Sequence, residues 1–260
     1  ADGHNTGVGH KAGRNITTGT ENTLIGALAG DALTDVDYNT AIGKSALSTD
    51  TLGSKSTALG AYALQTQNFT TATDAFNVAV GYNSGNSVTT GIHNTLIGAL
   101  SGDAFTDADF NVGVGYATIS SDTLGTQSTA VGYSALGNQN FTTATEAHNT
   151  AIGYIAGNAI TTGRLTTLVG SLAGYRLTSG NSNVAVGYGS LSTDTKGDRN
   201  VAIGNSALES QNFTTTTDAY NVAVGYTAGQ SVTTGKQNTF VGGLAGDATT
   251  TADDNTAVGY

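Results

Sequence analysis

The chain has 260 residues, with nine Lys plus Arg against nineteen Asp plus Glu and a formal net charge of −10. That balance argues against duplex nucleic acid and anionic membrane surfaces as partners. Cysteine, proline, methionine and tryptophan are absent while glycine occurs 37 times. Disulfides, thiol nucleophiles and thiolate metal sites are thereby removed together, and a proline-free chain suits a backbone whose N–H groups are needed for a hydrogen-bond ladder. No run of eighteen apolar residues and no basic segment ahead of an apolar core occurs, so neither membrane insertion nor a retained signal peptide is expected.

The first predicted element is the pentapeptide N-[TV]-x-[VIL]-G at residues 5–9. It recurs with its glycine at Gly26, Gly43, Gly60, Gly81, Gly98, Gly115, Gly132, Gly153, Gly170, Gly187, Gly204, Gly225, Gly242 and Gly259. Position two is always Thr or Val and position four always Val, Ile or Leu, a period-2 pattern that predicts a short strand opening each module. Asn holds position one in most modules, replaced by Ser56, Ser128 and Thr166; it reads as a stacked turn residue satisfying backbone groups. After the glycine come a short apolar piece, such as SAL at 45–47, YAL at 62–64 or IAG at 155–157, and a polar turn such as STDTLGSK or SVTTGIH. Apolar spacing at three and four over several turns is missing, so helix is not expected.

The glycine spacings run 17, 17, 17 and 21 and then repeat, so four modules make a 72-residue unit. The four extra residues fall in the stretch QNFTTATDAFNVAVGY at 67–82, which returns at 139 and at 211. One coil buries too few aliphatic side chains to offset the entropy of ordering it, so consecutive coils must stack. The expected fold is all-β, a parallel β-solenoid or β-roll of about fifteen coils in one repeat domain spanning 1–260 and incomplete at both ends. Such a stack would be a rod of about 70 Å.

With positions two and four filling the interior, position three is expected to point outward. It is Ala or Gly in most modules and bulky at Leu24, Leu96, Leu168 and Phe240. A small apolar stripe of that kind needs covering, so these four residues are the expected oligomer interface of a homo-trimer. Partial modules at both ends suggest either a piece of a longer fibre or end-to-end stacking.

The segments NVAVGYNSG, NTAIGKSAL and NVAIGNSAL resemble the head repeats of trimeric autotransporter adhesins, and similar N-T-A-[VI]-G arrays of phage tail fibres. The resemblance covers the whole chain. It implies a left-handed parallel β-roll, three chains side by side, and attachment to a host surface. Coils of 17 and 21 residues, longer than those of the adhesin heads, and the lack of a neck and coiled-coil stalk favour the fibre branch.

Candidate sites follow from the repeat. Gln67, Asn68 and Phe69, with Gln139, Asn140 and Phe141 and with Gln211, Asn212 and Phe213, place an aromatic beside amides in each enlarged loop. Either the Phe folds under its own loop as a staple, or the loop contacts a host glycan or protein receptor. The NFT triplet also matches an N-glycosylation acceptor. Asp31, Asp35 and Asp37, and Asp103, Asp107 and Asp109, bring three carboxylates within seven residues; these are solvated turn residues or ligands of a structural calcium. Four scattered histidines, His4, His10, His93 and His148, show no ligand spacing. Tyrosines after the glycine, from Tyr82 to Tyr260, form a broken ladder. No catalytic constellation or cofactor site is visible, and no enzyme is expected. The function expected is an attachment fibre, extracellular on a virion tail or bacterial surface. The alternatives are an ice-binding or surface-adsorbing solenoid, suggested by TTG at 17–19 and its repeats, and an extracellular filament subunit polymerising end to end.

Overall fold

Why position three, and not positions two and four, faces inward is decided by room inside the coil. A computed structural model of the protein describes residues 3–260. It contains fifteen three-residue strands, from Thr6–Val8 to Thr256–Val258, and six two-residue strands. No helix occurs among the described residues, and the chain is a parallel β-solenoid of about fifteen turns.

Two compact units are formed. The first runs to Gln127 and includes Phe141–Thr145; the second comprises Ser128–Asn140 and Glu146–Tyr260. In the first, Thr23–Ile25 pairs with Thr40–Ile42 in the register Thr23↔Thr40, Leu24↔Ala41, Ile25↔Ile42. In the second, Val184–Val186 pairs with Val201–Ile203 in the same way. Identical module positions therefore lie one above the next within each unit.

Alternation along the strand holds, but with the opposite phase to the one expected. Ala41, Ala58, Ala79, Ala130, Ala151, Ala185, Ala202 and Ala223, all at position three, are fully buried. So are Leu24, Leu96, Leu168 and Phe240, which are coil core and not an outward oligomer surface. The interior of a 17-residue coil is narrow, and its size is balanced between positions three and nine. In the coils of Ala41 and Ala58 position nine supplies a buried Leu, Leu47 and Leu64, whereas in the coil of Ala79 position nine is Gly85, beside which lie Leu64 and Leu96 of the coils on either side. Where position three is Leu96, position nine is Gly102, where an added Cβ would come 2.7 Å from Leu96 Cδ2. Leu168 is matched in this way to Gly174 and Phe240 to Gly246. The bulky residue every 72 positions thus fills the space left by a glycine.

The glycine at position five lets successive coils approach. Gly43 has φ +137°, and a Cβ there would lie 2.4 Å from the carbonyl oxygen of Gly60. Only a residue without a side chain fits that stacked corner.

Asn at position one closes most coils. Asn94 Nδ2 donates to the carbonyl of Ala108 at 2.6 Å, and its Oδ1 accepts the backbone N–H of Asn111 at 3.0 Å. Asn183 makes the equivalent bonds to Gly197 O and from Asn200 N. Each buried amide satisfies backbone groups within its coil and in the next, the structural role expected for it.

Candidate functional site

The enlarged coils are where the sequence placed its recognition loops, and their named residues divide sharply between inside and outside. Gln67, Gln139 and Gln211 are fully buried, and Phe69, Phe141 and Phe213 nearly so. Phe69 packs against Gly53 of the preceding coil, where an added Cβ would meet Phe69 Cδ2 at 2.7 Å. Buried in this way, neither the Phe nor the Gln side chains of these loops face outward toward a receptor.

Gln67 belongs to a buried clamp that sequence reasoning missed. Its Nε2 donates to Asp50 Oδ2 at 2.6 Å and to Ser56 Oγ at 3.1 Å, while its Oε1 accepts Asn77 Nδ2 at 2.9 Å. Asp50 Oδ1 accepts the N–H groups of Gly53 and Phe69 at 3.0 and 3.1 Å. Asp194 and Gln211 repeat the arrangement. The buried carboxylate has at least three donors, which is what keeps a charge tolerable without a counter-ion. In two of the enlarged coils position one is Ser, Ser56 and Ser128, and the Gln side chain reaches the next Asn; in the third Asn200 keeps the ladder and Gln211 bonds Asn221 as well. The signal was present: Asp50, Asp122 and Asp194 recur every 72 residues, each with Gln 17 positions later.

Asn68 and Asn212 sit half-buried in a threonine ladder. Thr34 Oγ1 donates to Thr51 O at 2.8 Å, and Thr51 Oγ1 donates to Asn68 Oδ1 at 3.1 Å and Phe69 O at 2.9 Å. Thr178, Thr195 and Asn212 repeat this in the second unit. Threonine thus occurs at this place in coil after coil, with its hydroxyl donated to the next coil. Asn140 is exposed, as are Thr70, Thr71 and Ala72 at the tip of the first loop.

The turn carboxylates do not converge. Arg14 lies 3.5 Å from Asp31, Thr18 donates to Asp35 at 2.5 Å, and the Thr20 N–H donates to Asp37 at 2.7 Å. Thr90 donates to Asp107 at 2.8 Å and the Ile92 N–H to Asp109 at 2.7 Å. Each of these acids is engaged singly by the coil before it. Burial pushes the Asp103 and Asp109 carboxyls above the ordinary Asp value, and Asp103 Oδ1 is buried without a hydrogen-bond partner. Among the described residues no group of three or more His, Cys, Asp or Glu is placed to hold a metal ion. His148 lies 3.6 Å from Glu146, and His93 stacks between two rings.

What the strands turn outward is the uncovered surface. Position four presents Ile25, Leu59, Ile97, Ile152, Ile203 and Val241, each 36 to 42% exposed. Position two presents Thr or Val, mostly half-buried. No charged residue occupies either position in any of the fifteen strands. Beside this face the tyrosines after the glycine are exposed; Tyr133 and Tyr154 stack at 5.4 Å, and Tyr62 meets Tyr82 edge-on at 5.9 Å. Comparison of the chain with protein-family models, with curated proteins and with solved structures gives no match.

Proposed function

We propose that the chain is a structural element of an attachment fibre, on a virion tail or a bacterial surface, in which three sister copies pack side by side through the outward faces of their strands. The observation that carries this reading is the uncharged, half-exposed aliphatic row at position four, repeated by in-register stacking within each unit. Covering the exposed part of one such Ile or Val is worth about 1 kcal/mol per coil and copy. Summed over a unit, that is enough to offset the entropy of association. The interface thus moves from position three to position four, and the number three comes from the resemblance to trimeric adhesin heads.

The absence of native cysteine makes the test clean. Ile97→Cys should give covalent dimers on mild oxidation, because a three-fold axis brings the same row of each copy together. Thr71→Cys, at an exposed loop tip, should not. Equal cross-linking of the two variants, or none from Ile97→Cys, would refute the assignment.

A second reading is favoured by one observation: threonine fills position two in ten of the fifteen strands, beside the aliphatic row. Left uncovered, such a regular hydroxyl and methyl face would adsorb to ordered water. Thermal hysteresis from a single-chain species would support it, and its absence would remove it.

A further inference from the structure

The residue just before each module's first position forms a corner of the coil, and that corner is left-handed throughout. Tyr38, Lys55, Phe76, His93 and Phe110 occupy it in five successive coils, with φ between 50° and 61°. A left-handed backbone favours Gly, or Asn, and disfavours bulky side chains by about 1 kcal/mol or more. The left-handed position nine takes Gly in some coils, as at Gly30, Gly85, Gly102 and Gly174, and a Leu buried in the coil interior in others, as at Leu47 and Leu64. At the corner the chain uses neither Gly nor Asn in any module. Unlike Leu47 and Leu64, the five corner side chains are exposed, so the coil interior does not select them.

What they build is a continuous strip. Phe76 and His93 stack at 5.3 Å and 13°, His93 and Phe110 at 5.0 Å and 7°. Lys55 Nζ covers the other face of Phe76 at 5.3 Å and lies 2.6 Å from Asp74. Ring edges, ammonium and carboxylate are all partly exposed, Phe76 by 45% and Phe110 by 51%. The second unit carries the same grouping in Arg199, Asp218 and Tyr220. Stacking contributes about 0.5–1.5 kcal/mol per ring pair, which roughly cancels the backbone penalty and leaves the exposure of the edges unexplained.

We propose that this corner strip is a binding surface for a linear, neutral polysaccharide lying along the coil stack. Its apolar edges repeat at about one coil spacing, roughly 4.8 Å, close to the length of one sugar ring. The Asp74 carboxylate and the Lys55 ammonium offer an acceptor and donors to sugar hydroxyls. A net charge of −10 disfavours a polyanion. The assignment rests on the attachment reading and replaces Gln67 and Phe69 as its receptor contact.

The test is affinity electrophoresis of the full chain through gels holding hydroxyethylcellulose, galactomannan or polygalacturonate. Retardation is expected in at least one neutral gel and not in polygalacturonate. Phe76→Asn, His93→Asn and Phe110→Asn together should weaken that retardation at least five-fold. Asn suits the left-handed corner, so this variant should keep its fold and its light-scattering mass. Tyr82→Ser with Tyr116→Ser, on the other side of the strands, should leave retardation unchanged. No retardation in either neutral gel, strongest retardation in polygalacturonate, or equal loss in both variants would overturn the proposal. Cross-linking through Ile97→Cys reads the fibre assignment separately, so a chain that self-associates but ignores every gel sinks this inference alone.

Discussion

Truncating Leu96 to Ala tests which way the strands face. Leu96 is fully buried, between Gly85 and Gly102, and its backbone is pinned by pairing with Ala79 and Gly113. Removing three carbons forfeits about 2.4 kcal/mol of transfer free energy at ~0.8 per carbon. A rigid glycine-lined coil cannot collapse into the gap, so a cavity contribution brings the cost to roughly 3–4 kcal/mol. Ile97 is its strand neighbour but is 39% exposed, so Ile97→Ala should cost about 1.5 kcal/mol in the single chain. The assay is urea unfolding followed by far-UV circular dichroism at concentrations low enough to give single chains. Leu96→Ala is expected to be at least twice as destabilising as Ile97→Ala. On the proposed association, only the cost of Ile97→Ala should grow at higher concentration, since of the two side chains only Ile97 lies on the outward face. An Ile97→Ala cost exceeding that of Leu96→Ala in single chains would refute the assigned orientation.

Other changes probe the rest of the structure. Gln67→Leu strands a carboxylate oxygen of Asp50 and a donor of Asn77 inside the coil; a loss of about 3 kcal/mol is expected in urea unfolding, and none would contradict the clamp. Gly43→Ala places a Cβ 2.4 Å from the Gly60 carbonyl oxygen in a left-handed corner, and should lower the melting temperature more than Leu96→Ala. Burial raises the Asp103 and Asp109 carboxyls above 3.8. The folded state therefore binds those protons more tightly than the unfolded one, and their contribution to stability falls as pH rises from 3.8 through the raised values. Asp103→Asn should accordingly melt higher than the parent at pH 7, with the difference vanishing below pH 3.8; a difference that persists in acid would contradict the assignment.

Much of the architecture was legible because a repeat is its own alignment. The glycine at position five fixed the coil length, and the [TV]-x-[VIL] alternation fixed where each strand lies. Alternation alone cannot say which phase faces inward, since it is symmetric under exchange of the two sides. Hydrophobicity favoured Val and Ile for the interior, but the narrow coil takes Ala or Gly at position three in most modules, and Leu or Phe there only with a glycine at position nine. The reciprocal sizes of Leu24 with Gly30 and Ala41 with Leu47 carried that information six residues apart. The enlarged loop left two readings open for a related reason: Phe beside amides is the composition of a sugar site and equally of a buried cluster with a polar clamp. Asp50 gave no local sign of burial, because its donors Gly53 and Gln67 come from two different coils. The corner strip was invisible as well, because Lys55, Phe76, His93 and Phe110 are 17 to 21 residues apart and share only the step before each module.

The central claim is that the aliphatic row at position four is shielded by sister copies, and light scattering of the purified 260-residue chain addresses it directly. A stable species of three times the 25.9 kDa chain mass is expected, converting to single chains when Ile97 and Ile152 are both changed to Asp. A parent chain that stays at 25.9 kDa at every concentration would contradict the account.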